Sequence, residues 1–424
     1  MTGTPRRVFQ IGGAFSVLWC AVALGLAVRA GAQQTDTLIF ARDVKIKMHL
    51  GPALHARVYR PSGKALRPAI FSLEADTSEA RDRGARALVA AGYAVVIAAP
   101  RGGDDKHVGR DGYDAVEWIN DQSWSDRQIV MAGTGAGADA AWNAARERPP
   151  HLDAILARTP TRLLAWSPKD LERTAVSALS IAGSAGAPQG TAIENDSIYV
   201  TAAHPGGPPA AYLVIGTLAE TQLADLEREW FGWAVGRGQL PALVRKRVNY
   251  LVANDSTWRA AASFAGIGAV PTSFPLHTNA GPRNAPGGFL GDEARDNEPA
   301  DTLPAGGKEY KSLLGAPLDV AGRPSVTLWL DHVPEAGLEV RVDEVRADGA
   351  TISLGQSGGR LVPPDTAAPK IAQREWVFDA FAWEARRLEA GSSLRLVVRG
   401  EGGVVYHDVD RYSRVILPVV RGQR

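Results

Sequence analysis

Between Asp43 and Gly236 the chain alternates short apolar runs with helical patterns, and few folds accept that order. The runs are Leu54 to Tyr59, Ala69 to Leu73, Tyr93 to Ala99, Ile129 to Gly133, Leu152 to Ala157, Val176 to Ile181 and Ala211 to Gly216. Glu79 to Ala91, closed by Gly92, and Gly112 to Asn120 carry helical patterns between them. Runs that are apolar at nearly every position are strands covered on both faces, and strands joined through helices run parallel. The first half therefore predicts an α/β domain. From about Val248 the pattern becomes short alternating strands such as Ser325 to Leu330, Leu338 to Val345, Thr351 to Leu354, Leu394 to Val398 and Val415 to Leu417. Ala347-Asp348-Gly349 supplies a hairpin turn, and Pro and Gly crowd Pro282 to Gly307. This second half predicts a β-sandwich or jelly roll.

One strand-to-helix junction carries the chemical question. Arg127 to Ala132 is a strand-like run that enters Gly133-Thr134-Gly135-Ala136-Gly137, and Ala136 to Arg146 reads as an alanine-rich helix ended by Pro149-Pro150. Strand, sharp turn and helix form the context of a nucleophile elbow, in which the central residue supplies the attacking oxygen. Here that residue is Gly135, which has no side chain to supply one. Gly133 and Gly137 are small enough for helix and strand to pack closely. An ordinary glycine-rich connection explains the same five residues.

With 424 residues, 45% of them apolar, 22% charged and a net charge of +1, the chain is globular and shows no bias toward nucleic acid. Its first residues differ. Arg6-Arg7 precede an apolar stretch from Ile11 to Val28 and then Ala30-Gly31-Ala32, a small-x-small pattern before Gln33. Residues 1–32 are read as an export signal, which places the mature chain outside the cell or in the periplasm without a membrane anchor. Arg6-Arg7-Val8-Phe9 loosely resembles a twin-arginine signal, with Pro5 in place of the usual hydroxyl residue. An uncleaved anchor is the alternative. Cys20 is the only cysteine and lies inside this segment, so a mature chain lacks thiols for a disulfide, a metal or catalysis. The eight histidines show no metal-ligand spacing, and neither a metal nor a cofactor is expected.

Leu54 to Pro61, Ala91 to Val96 through Pro100-Arg101-Gly102, Asp111 to Ile119 and Asp121 to Trp124 resemble the cocaine esterase and X-prolyl dipeptidyl peptidase group, the CocE/NonD hydrolases. Tyr113-Asp114-Ala115-Val116-Glu117-Trp118-Ile119 is the most specific part. Tyr250 to Arg259 is similar to the start of that group's jelly-roll domain. The resemblance spans nearly the whole mature chain and implies an α/β-hydrolase domain at 33–245 and a jelly-roll domain at 246–424. It also implies serine hydrolysis of esters, or of peptide bonds after an Xaa-Pro pair, by a Ser, Asp, His triad with an oxyanion tyrosine.

Carried over by position, each of these roles falls on an unsuitable residue. The nucleophile falls on Gly135, the acid on Gly186, the base on Glu220 and the oxyanion tyrosine near Asp76. A carboxylate with a pKa of about 4 is a weak base for a serine hydroxyl near neutral pH. Losing one triad member leaves only about 10³ to 10⁴ of acceleration over water. The stretch from Arg158 to Arg173 is also too short for the family's helical cap. The expectation is a hydrolase scaffold that binds a small molecule, peptide or carbohydrate without turnover. The alternative is an active esterase or peptidase with a relocated nucleophile, Ser184 in Ala182-Gly183-Ser184-Ala185-Gly186, although Pro188 and Gly190 stand where its helix should start.

Other polar residues have plainer accounts. Thr134 is expected to point away from the cleft as a packing residue. His204 is read as a solvated loop histidine, and Asp104, Asp105, His107 and Asp111 as a solvated acidic loop rather than a cation site. Trp230 and Trp233 recur at helical spacing as a core face. Trp118, Trp124 and Trp142 are read as packing. Trp329, Trp376 and Trp383 offer a sugar-binding aromatic surface, against which strand alternation places Trp329 in the core.

Overall fold

The computed structural model describes residues 38–75, 78–101, 105–160, 176–182, 211–278, 287–332, 337–361 and 374–421. The first sheet has ten strands: β1 (Leu38–Ile46), β2 (Leu54–Pro61), β3 (Arg67–Leu73), β4 (Ala94–Ala98), β5 (Ser125–Thr134), β6 (Leu152–Arg158), β7 (Ser177–Ala182), β8 (Ala211–Ile215), β9 (Val248–Val252) and β10 (Thr257–Ala261). They lie in the order β1-β2-β4-β3-β5-β6-β7-β8-β9-β10. From β4 through β9 the neighbours are parallel, and antiparallel pairs close both edges. The chain order reverses direction at β3 and β5, so a crevice opens at the carboxyl ends of those two strands, where open α/β sheets place their sites.

Helices α1 (Glu79–Ala90), α2 (Asp105–Asn120), α3 (Ala136–Glu147) and α4 (Glu220–Ala234) cover this sheet. The strands are apolar on both faces because both faces are covered: Ile129 and Met131 of β5 join one core with α2 and α3, while Val130 and Ala132 join another with Leu226, Trp230 and Phe231 of α4. Glycine allows the closest approaches. A Cβ on Gly112 of α2 would lie 2.5 Å from the Ala144 Cβ of α3, and one on Gly133 would lie 2.2 Å from the Gly137 backbone. The expected tight packing of elbow strand and helix is present.

The second half is β-rich, as expected, and its strands close on one core. Leu328 and Leu330 share that core with Val340, Val342, Leu396 and Val398. Glu339–Val345 and Thr351–Gly358 pair antiparallel across the expected turn, where Gly349 takes φ +86°.

Several sequence expectations shift. The first sheet does not end near residue 245: β9 and β10 extend it to Ala261, because Leu213 to Ile215 of β8 pair with Val248 to Tyr250. Tyr250 and its neighbours thus end the α/β sheet. They also contact the β-rich half: Trp383 stacks edge-on at 5.7 Å from Tyr250, and Asn254 exchanges two hydrogen bonds with the Arg387 backbone at 2.6 and 2.9 Å. The edge strand β1 was not predicted: its apolar residues Leu38 to Ala41 and Val44 are only half-buried, and Ile46 alone is buried. Trp329 is half-buried rather than core, because Val326, Leu328 and Leu330 take the inward positions. Trp383 is buried at 2% exposure and presents no face to a sugar.

Candidate functional site

The turn between β5 and α3 has the backbone of an elbow without its nucleophile. Gly135 adopts φ +55° and ψ −119°, a conformation that L side chains rarely take. The Gly135 N–H donates to the Arg158 carbonyl at 2.9 Å, and its own carbonyl accepts from Asp139 N–H at 3.1 Å. Among the described residues a Cβ built on Gly135 meets no atom within 4 Å. Glycine takes this backbone without strain, whereas an L side chain there would be strained.

Charged side chains from four elements surround it. Glu74, just past β3, accepts the Thr134 N–H on Oε1 at 2.8 Å and pairs through Oε2 with Arg81 of α1 at 3.0 Å. Arg81 also donates to Ser72 Oγ at 2.5 Å. Arg158, the last residue of β6, donates to Thr134 Oγ1 from Nε and Nη2 at 2.9 and 2.7 Å, and from Nη1 to Glu227 of α4 at 2.9 Å. Burial pushes the Glu227 carboxyl above the ordinary glutamate value, Arg158 and Arg81 pull it back, and Glu74 adds to the rise. A cleft of about 700 Å³ opens beside these groups, lined by Glu74, Thr134, Ala136, Arg158, Glu220 and Glu227 among others.

The hydroxyls here are poorly placed for attack. Thr134 Oγ1 and Ser72 Oγ both accept from guanidinium groups, which stay protonated and cannot take a proton as a base. Among the described residues no histidine lines the cleft. A carboxylate–imidazole pair does exist elsewhere, with His49 Nδ1 at 2.6 Å from Asp114, but no Ser or Thr lines the pocket beside it among the described residues.

The sequence candidates are only partly brought together. Glu220, the exposed first residue of α4, lines the cleft, and Gly135 lies between its lining residues Thr134 and Ala136 in sequence. Gly186, Ser184, Asp76, His204 and Asp104 lie outside the described residues, as does 161–175, where the shortened cap was expected. Thr134 is corrected: it is exposed at the cleft and held by Arg158, not packed away. Asp111 is corrected too. It belongs to α2, which begins at Asp105, and is buried at 3% exposure in an ion pair with Arg101. Sequence reasoning missed Glu74, Arg81, Arg158 and Glu227. Their signal was position: Glu74 and Arg158 are charged residues at the carboxyl ends of buried parallel strands, where a crevice is expected. Among the described residues no group of three or more His, Cys, Asp and Glu is arranged to hold a metal ion.

Fold and elbow together define an α/β-hydrolase scaffold with a β-rich partner region. Residues 51–169, which include the elbow, match the family model of X-Pro dipeptidyl-peptidase (S15 family). No curated protein matches the chain in sequence. Among solved structures, a CocE/NonD family hydrolase from Staphylococcus aureus superposes with a TM-score of 0.69 at 15% identity, covering 91% of this chain and 94% of its own. An aminopeptidase from the marine sediment archaeon Thaumarchaeota archaeon gives 0.66 at 12% identity over 90% and 97%. An α-amino acid ester hydrolase gives 0.66 at 13% identity over 94% and 100%. The family match covers residues 51–169, and the solved structures share the fold of nearly the whole chain.

Proposed function

We propose that this chain is a CocE/NonD-type scaffold that binds a ligand in the cleft at the elbow and does not hydrolyse it. The observation that carries this is Gly135, which keeps the backbone of the nucleophile position with no side chain on it and no described atom within 4 Å of a built Cβ. Two further features support it. Thr134 and Ser72 beside the elbow face arginines rather than a base, and the Glu74 carboxylate sits on the elbow N–H of Thr134. Negative charge there opposes an oxyanion developing on a substrate, the reverse of the donor array that stabilises one. The ligand class is a small molecule, a peptide or a carbohydrate, and the site of action is the periplasm or the cell exterior after removal of residues 1–32. Among the described residues no helix is long and apolar enough to cross a membrane.

The test is a fluorophosphonate serine-hydrolase probe applied to the purified protein, with label located by mass spectrometry and p-nitrophenyl esters and Xaa-Pro substrates run in parallel. No label and no turnover is the expected result. Labelling of Ser184 or another single serine with matching turnover would overturn the proposal and establish an active hydrolase with a displaced nucleophile.

A further inference from the structure

The elbow is not vacant of anions: the chain's own Glu74 carboxylate is seated on it. Oε1 takes the Thr134 N–H at 2.8 Å and Oε2 lies 3.0 Å from Arg81. The carboxylate also lies over the first turn of α3, where a Cβ on Gly137 would come within 2.5 Å of Glu74 Cγ, 2.6 Å of Oε1 and 2.9 Å of Cδ. A side chain at position 137 would expel it. The start of α3 has no side-chain cap of its own, so Glu74 supplies the negative charge that a helix N-terminus favours. Arg81 has spare capacity as well, because its buried Nε has no hydrogen-bond partner. Next to this seat lies the open volume at Gly135 and the larger cleft.

We infer that Glu74 is an internal occupant of a carboxylate-binding seat, and that the ligand of this cleft carries a carboxylate that exchanges with it. The inference rests on the cleft being a binding site, as proposed above. An entering carboxylate would take over the Thr134 N–H and the Arg81 guanidinium while Glu74 swings toward solvent, and the rest of the ligand would fill the space over Gly135. An intramolecular competitor acts at an effective concentration in the millimolar range or above, so bare carboxylates bind the native chain weakly. Removing the competitor exposes the seat. Glu227 does not compete for the same donors, because it is held by Arg158.

The experiment measures binding of acetate by calorimetry to the wild-type chain, Glu74→Ala and Glu74→Gln, with Gly-Gly-Gly as free acid and as C-terminal amide in parallel arms. Glu74→Ala should bind acetate at least about tenfold more tightly than wild type. Glu74→Gln, which keeps the shape and an acceptor but loses the charge, should fall between them. Adding Arg81→Met to Glu74→Ala should abolish the gain, which a merely structural role of Glu74 would not predict. Tighter binding of the tripeptide acid than of both its amide and acetate assigns a peptide terminus as the source, and equal binding of acid and acetate assigns a small free acid. The wild-type chain gives a control that needs no variant: the Thr134 amide resonance should move at high acetate. An unmoved Thr134 resonance, or correctly folded Glu74 variants that bind acetate no better than wild type, would overturn the exchange. Labelling by the fluorophosphonate probe would defeat the non-hydrolytic proposal alone, since acetate binding is scored without any substrate.

Discussion

Placing a hydroxyl at the elbow tests whether a missing nucleophile alone would account for the proposed lack of hydrolysis. Gly135→Ser places a side chain at φ +55°, ψ −119°, where the built Cβ has no neighbour within 4 Å among the described residues. Clash with those residues therefore contributes nothing, and the cost is backbone strain of about 1–3 kcal/mol. Serine returns roughly 0.5–1 kcal/mol of this because it restricts the unfolded chain more than glycine does. The expected net loss is on the order of 1–2 kcal/mol in urea denaturation, with the native fold retained. Catalysis should not return with it. No histidine lines the cleft among the described residues, and Arg158 and Arg81 hold the nearby hydroxyls. A serine without its base retains at most the 10³ to 10⁴ of acceleration over water typical of a triad missing one member, roughly, and burst labelling by a fluorophosphonate should stay slow. A variant that loses 5 kcal/mol or more, roughly, would refute the open space, because strain alone does not reach that value. Turnover at the rate of an intact serine hydrolase would refute the absence of a base.

Three further perturbations test the surrounding physics. Arg158→Ala leaves Glu227 without its partner at a site where the two side chains are 31% and 25% exposed, so the expected cost is about 1–2 kcal/mol, less than for a fully buried pair. Since burial raises the Glu227 carboxyl, the native state holds its proton to higher pH than the unfolded chain, and ionisation lowers stability as pH rises; the Arg158→Ala deficit should shrink on acidification, and Arg158→Ala with Glu227→Gln should recover most of it, additive losses in the double variant being the contrary result. In the β-rich half, burial would raise the Asp301 carboxyl, but hydrogen bonds from His407, Lys308 and Tyr310 hold it below its usual 3.8, so its stabilisation is present above that pH and lost as pH falls through the lowered value. Asp301→Asn should cost about 3 kcal/mol near neutral pH and progressively less in strong acid, and a pH-independent cost would exclude the ionic account. Trp383→Ala removes a buried ring that stacks on Tyr250 between the two halves, with an expected loss of about 3–5 kcal/mol and a calorimetric transition that splits in two; a single transition shifted by less than about 1 kcal/mol would mean the contact does not couple them.

Which parts of this molecule were legible follows from how each signal is encoded. Buried parallel strands such as β4, where all five residues are buried, write an uninterrupted apolar run into the sequence. The elbow glycines were legible too: a Cβ on Gly133 would fall 2.2 Å from the Gly137 backbone, so only glycine fits there. Edge strands leave a fainter trace. β1 is mostly exposed or half-buried and was missed, and β9 with β10 was assigned to the wrong half because a hairpin's alternation is the same in either sheet. Trp329 shows the limit of alternation. The period places it correctly opposite Leu328, but the sequence alone does not say which face is inward, and three apolar neighbours decided the matter.

The charged ring at the elbow was illegible for a different reason. Glu74, Arg81, Arg158 and Glu227 come from segments separated by as many as 69 residues in a single contact, so no local spacing announces them. The family's own pattern directs attention to Gly135, Gly186 and Glu220, where something is missing, rather than to what has arrived. A helix start without a side-chain cap and a crevice between strand ends present polar groups that burial penalises unless they are paired. Glu74 on the Thr134 N–H and Arg158 on the Thr134 hydroxyl pair them from two sides. If the proposed binding role holds, these groups set which ligand charge the crevice accepts, and competition between Glu74 and an external carboxylate is the measurement that tests it most directly.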